Sequence, residues 1–193
     1  FAMLAARGVA ASTRRVARRV PRRERRALAT VGDNVRGARG LRRGDGSEVS
    51  GDELFAKRRV VLVTVPGAFT PACTGKHLPS YVARTPELRA AGADGVYFVT
   101  VNDHFVTAAW AAACGATGAP DGVEVLADPD GDFVRDIDHA VDLSAAGLGV
   151  RANRSALVVN DGVVELDSSE AVLSDVKMSD VDAVLAFLKA NRK

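Results

Sequence analysis

The chain has two cysteines in 193 residues, too few for the disulfide framework of a small secreted domain. Its thiols suit a reducing compartment. No apolar run approaches the roughly 20 residues that a membrane-spanning helix needs. Acids are almost missing at the start: residues 1–26 hold nine arginines and a single carboxylate, Glu24. Aromatics make up 5% of the chain and none interleaves those arginines, which weighs against a nucleic-acid-binding arm. An Arg- and Ala-rich, acid-poor terminus instead reads as an organelle transit segment. Residues 1–30 are therefore expected to carry no packed structure, and residues 31–193 to form the folded domain. The compartment implied is mitochondrion or plastid, or cytoplasm if residues 1–30 are not a transit segment. The three histidines are far apart and lack metal-ligand spacing. No metal or organic cofactor is expected.

What is present is a hydrophobic content of 47%, enough for a full core. The most informative stretch is residues 59–82, RVVLVTVPGAFTPACTGKHLPSYV. Arg59 to Val65 is a β-branched apolar run, short enough for one buried strand. Pro66-Gly67 ends it. Thr70 and Pro71 read as a helix start, Thr as a cap and Pro in the first turn. Cys73 then falls in the first helical turn. Free N–H donors and the positive end of the helix dipole favour a thiolate there. The plainer alternative is a small buried hydrophobe. Thr70 stands where a dithiol site would have its other cysteine, so CxxC-type exchange is excluded.

Further elements follow from pattern. A helix is expected over 74–91, kinked by Pro79. Val96 to Val101 and Val123 to Ala127 read as strands, and Phe105 to Cys114 as a helix capped by Asn102-Asp103. Phe133 to Ile137 reads as a short helical piece. Ser155 to Val159 and Val163 to Leu166 flank Asn160-Asp161-Gly162, a hairpin signal. Ser179 is expected to cap a last helix that ends near Lys189. Strands alternating with helices, then a hairpin, imply an α/β fold with a mixed central sheet and helices on both faces. Asp128 to Asp132 has acidic spacing like a calcium loop, but its Gly falls at position four and position twelve is His139, so that reading is rejected. Gly147-Leu148-Gly149 lacks the setting of a dinucleotide loop.

Pro66-Gly67-Ala68-Phe69-Thr70-Pro71-Ala72-Cys73-Thr74, followed by His77-Leu78-Pro79, resembles the active-site loop of the peroxiredoxins, in the form of the type II (peroxiredoxin-5-like) branch. Val99 to Asp103 with Phe105 to Trp110, Leu126 to Phe133, Asp142 to Ser144 with Gly147 to Arg151, and Arg154 to Leu157 resemble that branch's later blocks, in its order. The resemblance implies a thioredoxin-like fold and a thiol peroxidase. It would act on hydrogen peroxide and small organic hydroperoxides, with glutathione and glutaredoxin, or thioredoxin, as reductant. It also implies a homodimer, with Phe69 a candidate for the contact. No nucleic-acid or membrane partner is expected. Cys73 would be the peroxidatic nucleophile, and Thr70, Pro66 and Arg154 would complete the peroxide pocket. Without the resemblance, Arg154 reads as an ordinary strand-edge arginine.

Cys114 is either a resolving thiol or a helix-packing residue. It matches neither place where the branch sets an internal resolving cysteine, which favours a one-cysteine cycle. His77 reads as a local packing or capping residue. Asp167 to Met178 departs from the family pattern and is assigned no function. The rival reading of the whole chain is a peroxide-sensing relay protein with low turnover.

Overall fold

The computed structural model describes residues 30–192. The expected transit segment lies outside the described residues, except for Thr30. The elements run β1 (Leu41–Arg42), β2 (Glu48–Val49), α1 (Gly51–Phe55), β3 (Arg59–Val65), α2 (Leu78–Ala90), β4 (Gly95–Thr100), α3 (His104–Ala113) and β5 (Val123–Ala127). They continue with α4 (Asp132–Asp136), β6 (Ala140–Asp142), β7 (Val150–Ala152), β8 (Ser155–Asn160), β9 (Val163–Ser169) and α5 (Val181–Ala190).

Seven strands form one sheet in the order β2-β1-β5-β4-β3-β8-β9. β3, β4 and β5 are parallel, and β8 lies antiparallel to β3. Every residue of β3 is buried, because the sheet is covered on both faces. Val61, Val63 and Val65 face a core built with α2, α3 and α5, including Tyr81, Trp110 and Leu185. Val60 and Leu62 face a second core with Leu54 and Phe55 of α1, Phe133 and Val134 of α4, and the β1–β2 hairpin. The mixed sheet with helices on both faces is the expected architecture. The hairpin after β8 turns at Asp161 and Gly162, with φ of 47° and 83°, the two positive values a two-residue turn of this hand needs.

Two local expectations need correction. The helix after Cys73 is not one α-helix: Cys73–His77 is a π-helical turn, closed by the Leu78 N–H donating to the Cys73 carbonyl, and α2 follows. Pro79 lies just after that wide turn, at the first positions of α2, in a helical run that continues from residue 71 to residue 90. The cap of α5 is Asp180, whose carboxylate accepts from the Ala183 N–H at 2.8 Å, and not Ser179. Ser179 is engaged elsewhere: its N–H and Oγ both donate to Glu170, at 2.8 and 2.9 Å. The small β6–β7 ribbon carries no signal strong enough to be anticipated in the sequence.

Candidate active site

The carboxyl ends of β3, β4 and β5 share one edge of the sheet, and the loops leaving them meet there. Residues 66–72 follow β3. Phe69 has φ 58° and stands 55% exposed. The loop is held from β4's exit: Asn102 Oδ1 accepts from the Ala68 N–H at 3.0 Å and from Thr100 Oγ1 at 2.9 Å. Arg151 donates to the Val101 carbonyl at 2.9 Å. Gly67 is confined in this frame: a Cβ there would lie 3.3 Å from Thr70 Cγ2 and 3.5 Å from the Arg151 guanidinium.

Cys73 opens the π turn and is fully buried. Such turns insert one extra residue into a helix and recur where a side chain must be re-aimed. Thr74 beside it accepts from the indole of Trp110 at 3.0 Å. The sheet delivers Arg154. Antiparallel register sets Ser155 opposite Thr64, so the residue before β8 reaches the level of the 66–72 loop. All three guanidinium nitrogens are used. Nε donates to the Leu173 carbonyl at 2.8 Å, Nη1 meets His77 Nδ1 at 2.9 Å, and Nη2 donates to Cys73 Sγ at 3.3 Å. Arg154 is 2% exposed, and no carboxylate of the described residues pairs with it. Of its three partners, a carbonyl, an imidazole and a sulfur, only Cys73 Sγ belongs to a group that can carry negative charge.

His77 is the residue the sequence reading underrated. Its Nε2 lies 2.8 Å from the Ser179 carbonyl, which can only accept. The Nε2 nitrogen therefore carries the proton, and Nδ1 is free to accept from Arg154. Burial, with Arg154 adding to it against the opposing pull of the Ser179 carbonyl, lowers the ring pKa to about 4. The neutral tautomer is the working form near neutrality. Its signal in the sequence was only its spacing, one turn after Cys73.

Comparison with known proteins decides the family. The redoxin family model matches residues 30–185. A peroxiredoxin of Synechocystis is 38% identical over 72% of this chain and 74% of its own. The chain belongs to the peroxiredoxins. A chloroplastic rice peroxiredoxin of the 2E type is 45% identical over 59% of the chain, a match that spans about half (51%) of that relative. The mitochondrial rice 2F form is 38% identical over 69% of the chain and 66% of its own. Reduced Prx3 of Vibrio vulnificus superposes with a TM-score of 0.77 at 34% identity, covering 84% of this chain and 99% of that one. The same protein in complex with H2O2 gives 0.76 at 34% identity, over 83% and 99%. These likenesses establish the thioredoxin-like fold and a thiol-dependent peroxidase.

In this peroxiredoxin Thr70, Pro66 and Cys73 share one loop-to-helix segment, and Arg154 meets Cys73 from the residue before β8. Thr70 Oγ1 donates to the Gly67 carbonyl at 2.9 Å and so braces the loop. Cys114 and Cys73 are both free thiols, and Cys114 stands one turn after Trp110, whose indole reaches Thr74 beside Cys73. α3 leaves the carboxyl end of β4 and runs back about 15 Å over its ten residues. Cys114 is its C-cap, its N–H donating to the Trp110 carbonyl at 3.0 Å. Burial also pushes the Cys114 thiol pKa up, which makes it a poorer nucleophile.

Proposed function

We propose that Cys73 is the peroxidatic cysteine and that Arg154, Thr70 and Pro66 form its peroxide pocket. The observation carrying this reading is the buried Arg154 Nη2 to Cys73 Sγ contact of 3.3 Å. A guanidinium there holds negative charge on sulfur and, as that charge moves to the departing oxygen, stabilises it too. The thiolate attacks one peroxide oxygen, the O–O bond breaks, and sulfur becomes a sulfenic acid. The second oxygen leaves with the bonding pair and takes up a proton as water or an alcohol. Hydrogen peroxide and small organic hydroperoxides are the substrates.

Cys114 is a free thiol whose pKa burial raises, which supports a one-cysteine cycle. An external thiol condenses with the sulfenic acid, releasing water, and a second thiol displaces Cys73 from the mixed disulfide. Glutathione with glutaredoxin is the reductant that suits this cycle, with thioredoxin as the alternative. The organellar plant relatives and the Arg-rich terminus support a mitochondrial or plastid site of action. The exposed Phe69 and Phe105, 55% and 74% accessible and both at the carboxyl end of the sheet, support a homodimer.

The test is intact mass of the protein after one equivalent of hydrogen peroxide with a sulfenic-acid trap. One adduct on Cys73, with Cys114 still alkylatable, is expected. Cys73→Ser should consume no peroxide. An unmodified wild-type protein would sink the assignment, and a Cys73–Cys114 bridge would replace the one-cysteine cycle.

A further inference from the structure

Between β9 and α5, residues 170–180 form a strap across the back of the site. Glu170 ties its two ends together. The Glu170 N–H donates to the Arg154 carbonyl at 2.9 Å, which fixes the strap's start to the arginine's own backbone. The Glu170 carboxylate accepts from the Lys177 N–H at 2.7 Å and from Ser179 N–H and Oγ at 2.8 and 2.9 Å. It is 6% exposed, and none of the ion pairs among the described residues includes it. Burial acts to raise its pKa, but these donors outweigh it and hold the pKa below the usual range. A buried carboxylate answered only by loop donors is costly unless it shapes that loop.

The folded strap turns two carbonyls inward. Leu173 O receives Arg154 Nε, and Ser179 O receives both His77 Nε2 and the Tyr81 hydroxyl, each at 2.8 Å. Lys76 Nζ donates to a third strap carbonyl, Val176 O, at 3.1 Å. Arg154 and His77 are thus aimed from behind by backbone atoms that have no side chain of their own to place them. We propose that Glu170 is a positioning residue: by clamping the strap it sets the Leu173 and Ser179 carbonyls that aim the Arg154 guanidinium at Cys73. This rests on Cys73 as the reacting sulfur and Arg154 as its cationic partner.

The experiment measures the rate of Cys73 with hydrogen peroxide and, separately, with iodoacetamide, on the full chain. Glu170→Ala should slow both about tenfold or more, since a misplacement of about 1 Å is enough for losses of that order. Glu170→Gln keeps a carbonyl oxygen as acceptor and should recover most of the rate. In an Arg154→Ala background, adding Glu170→Ala should change the rates less than about twofold, because two residues acting as one unit are not additive. Folding is checked by circular dichroism. If Glu170→Ala does not fold, Glu170→Asp takes its place, with a smaller loss expected. Wild-type rates in the folded variant, or an equal loss with and without Arg154, would overturn the assignment. If peroxide fails to react with the wild type while alkylation follows this pattern, the peroxidatic reading fails and the clamp stands.

Discussion

At the scale of single residues the proposed site turns on Arg154. A planar fork serves three partners at once, a carbonyl, an imidazole and a sulfur. Lysine could keep the charge but meet only one or two of them. Arg154→Lys is expected to lower the second-order rate with peroxide about 100-fold or more, in line with loss of one preorganised donor to a developing anion. Stopped-flow peroxide consumption reads this directly. His77 gives a pH signature. Its folded pKa of about 4 lies below the ordinary 6.5, so the folded state binds fewer protons than the unfolded chain between those values. Stability from the neutral ring is fully present above 6.5 and is lost as pH falls toward 4. Urea midpoints at pH 7 and pH 4.5 should show the wild type losing about 2 kcal/mol more than His77→Gln, which has no ring to protonate. The imidazole signals in NMR should separate as well. His77 titrates near 4, whereas His139, where burial is outweighed by the Asp167 carboxylate, titrates above the usual value.

Elements differ in how much of themselves is visible in sequence. β3, the 66–72 loop and the Cys73 turn are contiguous, and their apolar run, Pro-Gly stop and Thr-Pro start could be read locally. α5 could be read from its apolar face, but its cap could not. Ser179 and Asp180 are both good caps, and only the demand of Glu170, nine residues away, assigns the first to the strap and leaves the second for the helix. Asp180→Ala should therefore cost about 1 kcal/mol of stability, measured by urea unfolding. Its effect on the peroxide rate should be small, since Asp180 touches neither Arg154 nor His77. The π turn was equally hidden. A sequence pattern cannot separate one hydrogen-bond shift from a regular helix when the following Pro79 is compatible with both.

For the whole molecule, the two cores on the sheet's faces are assembled from Val35 onward among the described residues. Removing residues 1–29 is expected to leave the melting temperature and the peroxide rate of the remaining chain unchanged. Differential scanning calorimetry and a peroxide assay on both forms check this. A drop of several degrees would mean that the Arg-rich terminus packs on the domain. No helix among the described residues is long and apolar enough to cross a membrane.

The sequence by itself determined the strands β3, β4, β5, β8 and β9, the buried character of β3, the hairpin at Asp161-Gly162 and the nucleophile candidate. Each depends on neighbours within one element, where periodicity and turn chemistry act. The tertiary structure alone decided that His77 is a partner of Arg154 and that Glu170 folds a strap behind them. The first depends on contacts made across 77 and 102 residues of chain, by Arg154 to His77 and by Ser179 to His77, and the second on Glu170 meeting the Arg154 backbone and Ser179. Antiparallel register of β8 on β3 and the path of the strap create them, and no local pattern encodes either.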